Sequence, residues 1–197
     1  MKIKITKEQY EKARQFAEQR IGLSEDLYRR RGELKVNKML EDIIIGTVGE
    51  YGAAKYIRSK LHNCSRPDLK IYKGRKKSFD ADLIVKDVKT CDDDFKDKQK
   101  LNIHVKSQGV SSAKKYGNSW LLQKSDKITQ EPSDYDYFVF TKVDGLEVEI
   151  LGVVKCKDII DNDLLDECKV PMFRHSKHAL YFKDIEQKLT KRKIWSI

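Results

Sequence analysis

The stretch LNIHVKSQ, residues 101–108, alternates apolar and polar side chains with a period of two. A strand sends successive side chains to opposite faces. Leu101, Ile103 and Val105 are therefore predicted to enter a core, and Asn102, His104, Lys106 and Gln108 to form a polar row on the other face. The preceding segment FDADLIVKD, residues 79–87, reads as a second strand with Leu83 and Val85 on the core side and Asp82 and Ile84 opposite. Set side by side, the two strands bring an acid and a lysine to one place.

Before these strands the pattern is helical. TKEQYEKARQFAEQRI, residues 6–21, carries Tyr10, Ala13, Ala17 and Ile21 at helical spacing behind a capping Thr6. A second short helix is predicted from Ser24, with Glu25 and Asp26 at its start and Arg29, Arg30 and Arg31 at its end, which suits the helix dipole. A longer helix is predicted from about Asn37 to Lys60. Its half IIIGTVGEYGAAKYIRSKL, residues 43–61, puts Glu50, Ala53, Ala54, Ile57 and Leu61 on one inward stripe. Gly46, Gly49 and Gly52 weaken that helix, and close approach of another backbone is a reason to keep them.

After Pro67 the period is two. LKIYKG (69–74) reads as a strand, and CDDDFKDKQK (91–100) as a charged turn. NSWLLQKS, YDYFVFTKV and EVEILGVVKC follow as strands, with Asp144-Gly145 as a hairpin signal. KDIIDNDLLDEC reads as a short helical or irregular piece, ALYFKDIEQKL closes the domain, and KRKIW forms a basic tail. Helices, then a sheet, then peripheral helices indicate a mixed α+β or α/β chain. With no repeat and no dividing linker, residues 1–197 are expected to form a single domain: an N-terminal helical segment at 1–36, a core at 37–190 and a basic tail at 191–197.

Composition narrows the classes. The 197 residues hold 41 Lys and Arg against 31 Asp and Glu, a formal charge of +10. Hydrophobic residues make up 39%, enough for a core, which excludes a disordered basic tail. No apolar run approaches the roughly 20 residues of a membrane helix, and MKIKITKEQYEK has no apolar signal region, so the expected location is cytoplasmic, away from any membrane. Cys64, Cys91, Cys156 and Cys168 form no CxxC pair and are expected to be reduced packing residues, not a zinc site. The positive excess points to a polyanion, most simply nucleic acid.

Glu50, Asp82 and Lys106 together suit phosphodiester hydrolysis. Mg²⁺ takes hard oxygen ligands, one or two of them carboxylates, and keeps several waters. Such a metal stabilises charge on phosphate and can activate water, and a nearby lysine can orient that water and stabilise negative charge.

GTVGEYGAAKYI, FDADLIV and IHVKSQ resemble the helix Glu, strand Asp and (D/E)xK elements of the PD-(D/E)XK, or restriction-endonuclease-like, nucleases. The likeness spans about 60 residues and extends loosely through SWLLQKS, DYFVFTKV and EILGVVKCKDI. It implies a restriction-endonuclease-like core, a central mixed β-sheet flanked by helices. It further implies a metal-dependent DNA endonuclease, restriction-type or phage-encoded, that leaves a 5′-phosphate. By motif, Glu50 and Asp82 would hold Mg²⁺ or Mn²⁺ and Lys106 would act on the water, with Gln108 continuing the same face. His104 stands where the pattern has Asp or Glu. It would be an atypical third ligand, since neutral imidazole suits transition metals better than Mg²⁺. Asp80 shares a face with Asp82, which is preferred because LIV follows it directly. Many enzymes of this fold cut as homodimers. The competing readings are a noncatalytic nucleic-acid-binding protein that keeps the fold, and a branched-DNA (Holliday junction) resolvase.

Candidate phosphate contacts are Arg29 to Arg31, Lys73, Arg75 to Lys77, Lys114, Lys115 and Lys191 to Lys193. Trp120 is either a base-stacking residue or a core residue, with the core favoured by the burial of large aromatics. Gln123 lies near it, and His175 and His178 read as surface or phosphate-contacting residues.

Overall fold

The computed structural model describes residues 1–29, 36–71, 81–88 and 99–195, with only the backbone given for 22–29 and for residue 87. The elements run β1 (Lys2–Lys4), α1 (Lys7–Arg29), α2 (Val36–Lys60), β2 (Leu83–Val88), β3 (Gln99–Gly109), α3 (Val110–Tyr116), β4 (Ser119–Gln123), α4 (Lys127–Gln130), β5 (Asp136–Asp144), β6 (Glu147–Lys155), α5 (Cys156–Asp161), β7 (Asp166–Glu167), β8 (Lys177–Tyr181), α6 (Phe182–Lys188) and α7 (Lys191–Ile194). The architecture is mixed α+β. Asp80, Cys91, Arg30, Arg31, Lys73, Arg75 to Lys77 and most of the expected 91–100 turn lie outside the described residues, as does half of LKIYKG; residues 69–71 of that segment are described and form no strand, contrary to expectation.

The expected N-terminal helix is present and longer than predicted. Thr6 and Gln9 cap it reciprocally: the Gln9 amide donates to Thr6 Oγ1 at 3.1 Å, and the Thr6 amide donates to Gln9 Oε1 at 2.9 Å. Where a second helix was expected to start at Ser24, α1 continues to Arg29. A single glycine at residue 22 weakens a helix by only about 1 kcal/mol, too little to break one that docks Ala13 and Ala17, both fully buried, in the core beside α2.

The larger sheet has the order β1-β6-β5-β3-β2. β2 is antiparallel to β3, β3 is parallel to β5, and β5 and β6 form an antiparallel hairpin. The hairpin turns at Gly145, whose φ of +55° is cheap for glycine alone. β1, which the sequence reading did not anticipate, adds to the free edge of β6 with Ile3 opposite Val148.

Both faces of this sheet are covered. On one face α2 packs over Leu101, Ile103, Val139, Val143, Val148 and Ile150. On the other, Phe138, Phe140 and Val154 meet Trp120, Leu122, Leu180, Phe182 and Ile185. That second layer is the smaller sheet, order β4-β8-β7, with α6. β5 therefore reads DYFVFTKVD, an almost unbroken apolar run, because a strand buried on both faces loses its alternation. Trp120 is 5% exposed and lies 4.6 Å, centroid to centroid, from Phe140. It is a core residue and cannot stack on a base.

The expected basic tail is a docked helix. Ile194 of α7 is buried against β6, and the exposed Lys193 bonds to Asp158 at 2.8 Å. One apolar side chain at the right turn anchors an otherwise cationic segment.

Gly49 explains how closely α2 approaches the sheet. A Cβ there would run into Ser107 Oγ and lie 2.7 Å from Thr141 Oγ1, two hydroxyls bonded to each other at 2.9 Å. Gly49→Ala is expected to destabilise the fold by about 2 kcal/mol despite alanine's better helix propensity, because overpacking forces the helix outward. Thermal unfolding should fall by roughly 6 °C; an unchanged or raised midpoint would show that the helix yields without strain.

Candidate functional site

β3 carries most of the predicted site. Leu101 and Ile103 are buried under α2, as the alternation requires, and Val105 packs beside them. Asn102, His104, Lys106 and Gln108 occupy the other face, but it is not a solvated row: His104 and Gln108 are 6% and 7% exposed, beneath the second layer.

Asp82 stands at the entrance to β2. The register Leu83↔Ile103 places it against residues 104–105 of β3, and its Oδ2 accepts the Val105 amide at 2.7 Å. No other hydrogen bond to Asp82 forms among the described residues. Lys106 follows on the same face as His104, with Nζ 5.7 Å from the Phe138 ring centroid. Glu50 comes next after Gly49 on α2 and is half-buried. Its helix covers the Ile103 face of the sheet, opposite to His104 and Lys106. The structure thus brings together Asp82, His104 and Lys106, and presents Glu50 from the other side.

Gln108 is held by its neighbours. Its Nε2 donates to the Gly117 carbonyl at 3.1 Å, and its Oε1 accepts the Ser119 amide, also at 3.1 Å. This clasp starts β4, so the side chain positions the second layer.

Two acids that the sequence reading did not single out adjoin the site. Asp136, at the start of β5, accepts Asn102 Nδ2 on Oδ1 at 3.0 Å and both the Ser133 amide and hydroxyl on Oδ2 at 2.8 Å. Burial tends to raise its pKa, but these hydrogen bonds outweigh burial and hold the carboxyl below the usual range. The signal was present in SDYD, since a Ser three residues before an Asp at a strand entrance is a turn pattern. Asp126 caps α4 without a side-chain bond. Burial raises the pKa of its carboxyl and outweighs the opposing pull of Lys106 and His104.

His104 Nε2 is buried and has no hydrogen-bond partner among the described residues; Asp136 Oδ1 lies 3.6 Å away, beyond hydrogen-bonding reach. Burial lowers its pKa, Asp82 and Asp136 pull it up, and Lys106 opposes them; burial prevails, so the ring is neutral. A histidine whose folded pKa lies below its unfolded value, about 6.5, supports folding fully above that value. The support is lost as pH falls, by up to about 1.4 kcal/mol per pH unit. The urea midpoint of the native chain should therefore drop between pH 7.5 and 5, and His104→Gln should drop less. Equal slopes would remove His104 from the acid response.

Among the described residues no three His, Cys, Asp or Glu converge as a ready metal site. Asp82 has the donor type and the exposure for Mg²⁺, which needs only one or two carboxylates and otherwise keeps water or phosphate oxygens. Buried neutral His104 does not suit Mg²⁺, since imidazole favours transition metals over hard oxygen-seeking cations. Lys114 and Lys115 end α3, and Lys115 Nζ lies 4.9 Å from the centroid of the exposed Tyr116 ring. Cys64, Cys156 and Cys168 are buried free thiols. No helix among the described residues is long and apolar enough to cross a membrane. Comparison with known proteins yields no match among family models, curated proteins or solved structures.

Proposed function

We propose that the chain is a metal-dependent endonuclease that hydrolyses DNA phosphodiester bonds in the cytoplasm, built on a restriction-endonuclease-like core. The observation that carries this reading is the juxtaposition of Asp82 and Lys106 on adjacent antiparallel strands, the acid bonded to the backbone of β3 one residue before the lysine. The element order supports it: a long helix, an antiparallel strand pair, a crossover and a strand parallel to the second of the pair. When bound, Mg²⁺ or Mn²⁺ would stabilise charge on the phosphate and acidify water. Asp82 would hold it, while Glu50 rides on the helix that covers the opposite face of the sheet and is not counted among its ligands. Lys106, a cation beside the Phe138 ring, orients the attacking water and stabilises the developing oxyanion. A homodimer would place two such sites on the two DNA strands, and a branched junction is a substrate the same chemistry serves.

A second reading has one observation in its favour. The position at which the pattern calls for an acid holds a buried, neutral His104, and a site reduced in this way suits a noncatalytic nucleic-acid-binding protein. Incubation of supercoiled plasmid and of a four-way junction with Mg²⁺ or Mn²⁺ separates the two. Metal-dependent nicking that Asp82→Ala and Lys106→Ala abolish supports hydrolysis. Binding without cutting on every substrate favours the second reading.

A further inference from the structure

The smaller sheet has an inner face and an outer face. Trp120, Leu122 and Leu180 point inward to the core. Alternation then sends Ser119, Leu121 and Gln123 of β4 outward, in register with Tyr181, Ala179 and Lys177 of β8. Leu121 is 40% exposed although it lies mid-strand.

Aromatic rings and lysines alternate across this face. Lys169 and Lys183, both exposed, hold Nζ at 5.1 and 5.7 Å from the Tyr181 ring centroid. Lys177 holds Nζ 4.4 Å from the centroid of Phe173, in the turn that leads into β8. Each ammonium is within the roughly 6 Å over which a cation is drawn to a ring face. Three acids are nearby: Asp166 lies on the same face beside Ala179, Glu167 pairs with Arg174 at 3.4 Å, and Asp184 acts on Tyr181, against Lys169, Lys177, Lys183 and Arg174. The face is therefore cationic as well as apolar.

We propose that the outer face of the β4-β8-β7 sheet binds single-stranded nucleic acid, with bases on Tyr181, Phe173 and Leu121 and phosphates on Lys169, Lys177 and Lys183. A sheet face that offers an aromatic ring on its strand and another in the adjoining turn captures bases only when they are unpaired. Its flanking cations meet the backbone that each stacked base carries. An acidic peptide would use the ammoniums and gain nothing from the rings. The inference rests on the nucleic-acid partner of the proposed function and is independent of hydrolysis.

The test is fluorescence anisotropy of a labelled oligo-dT in EDTA, against a blunt duplex of equal charge and with polyglutamate as competitor. The native chain is expected to bind the single strand more tightly than the duplex. Tyr181→Ala should weaken binding about tenfold and Tyr181→Phe should restore it, which separates a lost ring from a lost fold. Lys169→Gln and Lys183→Gln should each reduce the salt slope by about 0.7. Equal affinity for single strand and duplex, full displacement by polyglutamate at matched charge, or an unaffected Tyr181→Ala would overturn the proposal. Because EDTA removes divalent metal, a chain that binds but never cuts leaves this surface standing and removes hydrolysis. A chain that cuts but binds equally well as Tyr181→Ala does the reverse.

Discussion

Lys106→Ala is expected to lower metal-dependent plasmid cleavage by roughly 10²- to 10³-fold, the loss seen when a single charge-stabilising group leaves a hydrolytic site. The side chain is half-buried on the His104 face, with its ammonium near the Phe138 ring. Its removal breaks no strand pairing, because β3 is held by backbone bonds to β2 and β5. Folding should therefore be nearly unaffected, and the decline should fall on the rate of the chemical step, measured under single turnover. Lys106→Arg keeps the charge but not the compact ammonium, and should recover only part of the rate. A Lys106→Ala chain that is folded and cuts at the native rate would move the active centre elsewhere.

The largest stability effect is expected at Asp136. Its carboxylate takes three hydrogen bonds, from Asn102 and from the amide and hydroxyl of Ser133, at 9% exposure. Asp136→Ala would strand those donors beside the parallel β3-β5 pair, where each bond to a charged group contributes about 1.5–3 kcal/mol. Allowing for water that enters the gap, a loss of about 4 kcal/mol and a thermal midpoint lower by about 12 °C follow. Asp136→Asn keeps an acceptor and should lose less. The sign of the pH response also follows. A carboxyl held below its unfolded pKa supports folding above about 4 and loses that support as pH falls further. The gap between native and Asp136→Asn chains should therefore narrow toward pH 3. A loss under 1 kcal/mol for Asp136→Ala would mean that solvent already satisfies these groups.

Much of the architecture was legible in the periodicity of particular segments. Helix α2 begins within a residue of its predicted start because the apolar spacing of residues 39–57 and the glycines at 49 and 52 can only be reconciled with a close helix-on-sheet contact. β3 was legible because half of its alternation, Leu101 and Ile103, faces an apolar helix. The other half was misleading: the same period that announces a polar face does not say what covers it. Segments 12 or more residues downstream, with Trp120, Leu122 and Leu180, close over that face. They turn His104 into a buried neutral ring and Gln108 into a clasp. Asp136 and Asp126 escaped notice for a related reason, since each reaches the site from a loop end whose position only chain crossover determines.

By itself, the sequence determined the helix-then-sheet order, the inward faces of α2 and β3, and the cationic balance of +10, because these depend on local periodicity and composition. Tertiary structure alone decided that a second sheet lies on the polar face, that Asp82 bonds across to Val105, and that Glu50 and Lys106 flank the sheet from opposite sides. Those outcomes depend on register and layer packing between segments distant in the chain, and no local pattern encodes them.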